Sequence, residues 1–353
     1  MWAELGWRRF AVVCFVSLLG SASQASAAVF GPDVVQRFAP IVQLATGEGT
    51  LPTSASWFLN RSSLQWHNDD GCDADVLRPV RVWNTEDMSA LGAGGYSAKS
   101  RDEDCRRAGP RYTTRDHTRP RDGHRPPGLS AADGFALDLI DTSDARRGIK
   151  DTTPEDPQLY TGAPVYYESG DIAKPGAPLG KYMYLTYWFF YAFNDGIGPQ
   201  NHEGDWEGMS VLFGKTSSGH YRPLALALNQ HRETKEIPWH SRRFAGERPL
   251  VYSAKGTHAT YDHDWPGRLG PFADTVGGSV SWDTSVSALP LYDQPWVGYC
   301  GGWGEVGHLG DTTGPLGPGC IVNGRAIKDA IPDGWGPPAP HERGAQTIVV
   351  VDP

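Results

Sequence analysis

The chain has 353 residues, a formal net charge of −9 and five cysteines. That acidic balance excludes the class of non-specific nucleic-acid binders, whose affinity rests on grouped positive charge. With 43 glycines, 28 prolines, many aromatics and no long 3.6-residue periodicity, it is expected to form short strands joined by long loops and short helical turns, an all-β sandwich.

In chain order, Arg8 and Arg9 precede an apolar run, Phe10 to Leu19, and the small-x-small triplet Ala25-Ser26-Ala27. This pattern predicts a signal peptide over 1–27 and a secreted, extracellular product, because the apolar run is too short to span a bilayer. Cleavage removes two arginines and one glutamate, which shifts the net charge from −9 to −10. No later stretch reads as a transmembrane segment, and residues 28–353 show no linker or repeat, so one domain and a monomer are expected. Of the cysteines, Cys72, Cys105, Cys300 and Cys320 remain. In an exported chain their even number predicts disulfides, and the sequence-local pairing Cys72–Cys105 with Cys300–Cys320 is favoured among three possibilities.

The clearest predicted strands are Ala39 to Leu44, Tyr182 to Phe193, Asp205 to Phe213, Leu224 to Asn229 and Pro249 to Ala254. Residues 97–128 carry eight arginines and almost no aliphatics. They are expected to form a flexible insert, with contact to anionic headgroups or glycans as the alternative.

The densest chemistry lies in Asn201 to Gly208, NHEGDWEG. On a strand, Asp205 and Glu207 share one face and Trp206 takes the other. His202, just upstream, can turn toward the same carboxylates. An imidazole with paired carboxylates suits a divalent cation; a metal-free acid/base pair and a solvated strand edge are the alternatives. Calcium or magnesium follows from the carboxylates, manganese or zinc from the histidine. His231 and His258 each follow a predicted strand and are further candidates, either structural, as metal ligands, or as a general base of a hydrolase. Motifs for a serine elbow, a His-Glu-x-x-His zinc helix or a phosphate-cradling loop are absent, so the enzyme reading is secondary.

Several stretches, taken in order, resemble the vacuolar protein sorting-associated protein 62 family. They are Arg37 to Leu59, YWFFYAFN (Tyr187 to Asn194), HEGDWEGMSVLF (His202 to Phe213), Asn229 to His231, VYSAKGTHATY (Val251 to Tyr261), Asp274 to Asp283 and Trp303 to Pro318. More distantly, His-x-x-Asp-Trp-Glu over His202 to Glu207 is similar to the heptapeptide of necrosis- and ethylene-inducing peptide-like proteins. Those are secreted β-sandwich toxins that bind a divalent cation and glycosylated membrane sphingolipids. The resemblance implies metal ligation by His202, Asp205 and Glu207, with Asp195 or Asn194 in the upstream ligand position. It also implies a glycan or lipid headgroup as partner, and membrane damage as a consequence. The chain departs from that heptapeptide at Asn201, Glu203 and Gly204.

Overall fold

The computed structural model describes residues 30–67, 75–101, 108–119, 126, 129, 133–139, 163–196, 201–231, 233–241, 244–264, 274–307, 312–322, 325–326, 331–332 and 335. Chain order runs α1 (Pro32–Phe38), β1 (Ile41–Ala45), α2 (Ala55–Leu59), β2 (Ser62–His67), β3 (Asp75–Arg78), α3 (Thr85–Ala93), β4 (Ser97–Arg101), β5 (Ala108–Thr113) and β6 (Gly134–Leu139). It continues with β7 (Val165–Asp171), β8 (Tyr182–Asn194), β9 (His202–Lys215), β10 (Tyr221–Gln230), β11 (Glu233–Pro238), β12 (Phe244–Ala245) and β13 (Arg248–Ser253). β14 (Thr260–Tyr261), β15 (Gly278–Asp283), β16 (Ala288–Pro290), β17 (Ile321–Val322) and β18 (Arg325–Ala326) complete it.

The fold is all-β with a few short helices. A six-stranded sheet, ordered β11-β10-β9-β8-β7-β16, forms the centre. On one side lies a sheet of β12-β13-β1-β15, with β14 on β13; on the other lies β3-β2-β6. Tyr187, Phe189 and Tyr191 of β8 pack with Val42, Val251 and Trp282 on the first side. Trp188 and Phe190 pack with Leu64, Trp66 and Phe135 on the second. Coverage on both faces explains why β8 is an almost continuous apolar run rather than an alternating one. Trp206 lies within an aromatic cluster, its ring centroid 4.6 Å from Phe190, 5.3 Å from Trp303 and 5.5 Å from Trp296.

Local signals account for the helices. Pro32 starts α1 at a position where no amide hydrogen is needed. Ser54 and Asn84 cap α2 and α3 by accepting the amide hydrogens of Trp57 and Asp87, at 2.9 and 2.8 Å. Among the described residues no helix is long and apolar enough to cross a membrane.

Part of the arginine-rich stretch lies among the described residues. β4 and β5 pair as an antiparallel hairpin. Tyr112 is buried and stacks on Trp66, centroids 6.0 Å apart. Arg119 donates to the carbonyls of Gly314 and Thr313 at 2.6 and 2.8 Å. One buried aromatic and satisfied backbone groups anchor the stretch where aliphatic residues are scarce. Cys300 and Cys320 form the expected disulfide; Cys72 and Cys105 lie outside the described residues, as does the expected signal peptide.

Candidate functional site

β8 and β9 pair antiparallel along their length, with Asn194 opposite His202, Tyr191 opposite Asp205 and Phe189 opposite Glu207. Asp205 and Glu207 are buried on the side of Tyr191, and Trp206 sits in the aromatic core on the other side. Strand alternation would place Glu203 with Asp205, but Gly204 has φ +60°. A left-handed residue rolls the strand at that point. Glu203 therefore accepts the amide hydrogens of Leu139 and Glu305, both at 3.0 Å, on the side of the three-stranded sheet. Any side chain at Gly204 would also meet the Trp303 carbonyl, since its Cβ would lie 2.0 Å from that oxygen.

Two loops close over the Asp205 side. Lys255 to Ala259 passes so close to the end of β8 that a Cβ on Gly256 would lie 2.3 Å from the Asp195 carbonyl oxygen. The Asp195 amide donates to the Gly256 carbonyl at 2.8 Å. His258 follows with φ +57°, a conformation unusual outside glycine. It lays its ring flat on Tyr191, centroids 3.8 Å apart. Its Nδ1 donates to Asp205 Oδ2 at 2.9 Å and its Nε2 lies 3.7 Å from Glu48 Oε1. Glu48, from the turn after β1, accepts the amide hydrogens of Gly49, Thr50 and Gly256 at 2.8, 3.0 and 2.7 Å.

A second group adjoins it. His231, at the end of β10, has φ +59°. Its Nε2 donates to Asp274 Oδ2 at 2.9 Å. Asp274 also accepts from the hydroxyls of Thr257 and Tyr261, each at 2.6 Å. The His231 side chain is 44% exposed and that of Asp274 only 5%. Thr257 and His258 are neighbours in one loop, so the two histidine–carboxylate pairs are joined through the backbone.

Electrostatics follow from these contacts. Burial alone would lower His258, but its bond to Asp205 and the nearby Glu48 carboxylate outweigh burial and raise it to about 10. Burial would raise Glu48, yet the His258 imidazolium and the backbone donors hold it below its ordinary value. His231 is raised by its bond to Asp274, against burial. Asp274 is lowered because His231, Thr257 and Tyr261 together outweigh its burial. The Glu207 charge acts on Tyr191 and Tyr261, which places it in the same field. Across the strand, burial pushes Glu203 up to about 8; its backbone donors only partly oppose this, and Glu305 and Asp138 add to it.

The chain is 28% identical to the putative vacuolar protein sorting-associated protein TDA6 of Saccharomyces cerevisiae over 202 residues, covering 44% of this chain and 43% of that protein. It is 31% identical to vacuolar protein sorting-associated protein 62 of the same yeast over 158 residues, covering 37% and 34%. The chain resembles the vacuolar protein sorting-associated protein 62 family. The matched part spans less than half the length of these curated relatives. No family model matches the chain. Among solved structures, one described as NLPPya in complex with glucosamine aligns at TM-score 0.32 and 12% identity, covering 79% of this chain and 82% of that one. Another, of the non-toxic HaNLP3 protein, aligns at TM-score 0.29 and 11% identity, covering 76% and 79%.

The motifs that carry the family resemblance are the ones that build the site. YWFFYAFN and HEGDWEG form the two central strands, and the Gly-Thr-His loop covers their ends. The expected ligands do not all meet. His202 turns back along its own strand, its Nδ1 2.7 Å from the Gly204 carbonyl oxygen. Asp205 is engaged by His258, and Asp195 is held at the strand end by its backbone. Among the described residues, the group of three or more His, Cys, Asp or Glu side chains with ligand atoms within 4.8 Å of one another is Asp138, Glu203 and Glu305. Glu48 and Asp274 are not among the site residues expected from the sequence. Glu48 stands between two glycines in a turn and Asp274 heads a family-like segment; only their long-range partners give them a role.

The donor set on the Asp205 side still fits a hard cation. Three carboxylates, Glu48, Asp205 and Asp274, pair with two imidazoles, His231 and His258, and the buried Glu207 adds a fourth acid on the strand face of Asp205. Asn194 Oδ1, opposite His202 on the adjoining strand, is buried without a hydrogen-bond partner. An orphaned side-chain carbonyl oxygen suits calcium or magnesium coordination.

Proposed function

We propose that the chain is an extracellular protein that binds a divalent cation on the Asp205 side of its central hairpin. Through that face it recognises an oxygen-rich ligand, a glycan or a lipid headgroup. The observation that carries this reading is the pair of buried carboxylates, Asp205 and Glu207, on one strand face, beside His258 and His231 in left-handed backbone conformations. Such strain persists where the surrounding structure enforces it, and it clusters at ligand sites. Asp205 and Glu207 would hold the cation, with His202, Asn194 or Asp195 at the strand end. A cation of this kind supplies coordination positions that sugar hydroxyls or phosphate oxygens can fill. The protein's own residues fix the carboxylates and exclude water beneath them.

Calorimetric titration with calcium, magnesium and manganese tests this, followed by retention on immobilised glycans and on vesicles with and without glycosylated lipid. Loss of one cation equivalent in Asp205→Asn and Glu207→Gln, with ligand retention that requires the cation, supports the reading. Retention indifferent to chelator opposes it.

A second reading is favoured by one specific feature. His231 is half-exposed and is oriented by buried Asp274, an arrangement suited to a general base. On that reading the protein is a cation-assisted hydrolase of phosphoesters or glycans. Turnover of generic phosphoester or glycoside substrates that is lost in His231→Gln would select it over a binding role.

A further inference from the structure

We propose that Asp138, Glu203 and Glu305 form a separate divalent-cation site of calcium type, on the side of the central sheet away from Asp205. It is built from three distant parts of the chain: β6, β9 and the loop after Trp303. One carboxylate oxygen from each lies within 4.8 Å of the others. Two oxygens bound to one calcium at about 2.3–2.6 Å can lie roughly 5 Å apart at most, so this spacing suits a shared ion.

Unsatisfied oxygens give the second, independent indication. Glu203 is 1% exposed. Its Oε2 accepts from two backbone amides, at 3.0 Å each, while its Oε1 is buried with no hydrogen-bond partner. Asp138 repeats the pattern, with Oδ2 accepting from the Gln65 side-chain amide and Oδ1 buried without a partner. Buried carboxylate oxygens are rarely left unsatisfied in native proteins. Two in one cluster, beside a third acid, are the arrangement a cation completes.

The backbone bonds also fix Glu203 from both sides. The Leu139 amide comes from the same strand as Asp138, and the Glu305 amide from the residue that supplies the third carboxylate. The ligands are thus placed before any ion arrives. Three oxygen donors with no nitrogen or sulfur favour calcium over zinc. The ion would tie the outer three-stranded sheet and the loop after Trp303 to the central sheet, so it acts on stability rather than on ligand recognition.

The test uses the purified full chain and calcium alone, read by calorimetric stoichiometry and melting temperature. Wild type is expected to bind calcium and to melt higher in its presence, since the ion binds only the folded chain. Asp138→Asn should lose one equivalent and weaken that affinity by more than the roughly tenfold that outer partners of metal ligands command. Asp205→Asn should retain this equivalent, which separates the proposal from the site on the other face. Glu305→Gln, at a half-buried position, serves if Asp138→Asn does not fold. Unchanged stoichiometry and melting shift in these variants would overturn the proposal. So would the absence of calcium binding at about 1 mM, the weak end of extracellular calcium sites.

Discussion

Glu203 and Asp205 stand two residues apart in one strand, yet their carboxylates occupy opposite electrostatic settings. Asp205 meets an imidazolium, His258, which is itself balanced by Glu48. Glu203 meets two backbone amides and two further acids, and burial pushes it up to about 8. The left-handed Gly204 between them makes the difference by turning one acid to each side of the sheet. A dense run of charge in sequence is therefore not one site. A single backbone conformation divides it into a half that pairs with imidazole and a half that holds acids alone.

The largest expected effect comes from removing the balancing cation of the first half. His258→Ala leaves Asp205 and Glu48 facing each other in the interior and should cost about 3–5 kcal/mol, as loss of one partner from a buried ion pair does. Chemical denaturation would measure it; a loss below about 1 kcal/mol would mean that His258 does not neutralise these acids. Gly204→Ala attacks the division itself. It forces a side chain into φ +60° and against the Trp303 carbonyl, with an expected cost of about 2–4 kcal/mol. Near-normal stability in that variant would show that the roll of the strand does not depend on glycine.

A pH titration sharpens the same comparison. The folded value of His258, about 10, lies above the 6.5 of the free side chain. Its stabilising contribution is therefore full below about pH 6.5 and is lost as pH rises through 10. Nitrogen chemical shifts of the ring should report an imidazolium at pH 8; a neutral ring there would remove the charge balance from the account. The smallest effect is expected at His231. Its half-exposed pair with Asp274 is screened by solvent, so His231→Ala should cost no more than about 1 kcal/mol while altering any activity that depends on the exposed imidazole.

Much of the framework was legible in the sequence. Tyr182 to Phe193 and Met209 to Phe213 stood out because central strands covered on both faces are mostly apolar. The alternation that sets Asp205 and Glu207 apart from Trp206 follows from the same geometry. Glu203 was not placed, because glycine fits either hand of backbone and the sequence does not say which Gly204 adopts. Glu48 and Asp274 were missed because their roles arise from contacts made across the fold: Glu48 meets Gly256 from 208 residues away. The β4–β5 hairpin escaped notice because its anchors, Tyr112 and the Arg119 contacts to carbonyls, leave no hydrophobic periodicity.

On the proposed function, the Asp205 side holds a divalent cation. Metal analysis of the Asp138→Asn protein tests it most directly, because that background removes the site proposed on the other face. After equilibration with calcium, magnesium or manganese and removal of free ions, this protein should retain one cation equivalent, and chelation should strip it. Adding Glu207→Gln should abolish retention. A protein that holds no cation before chelation, or equal amounts with and without Glu207→Gln, would contradict the account.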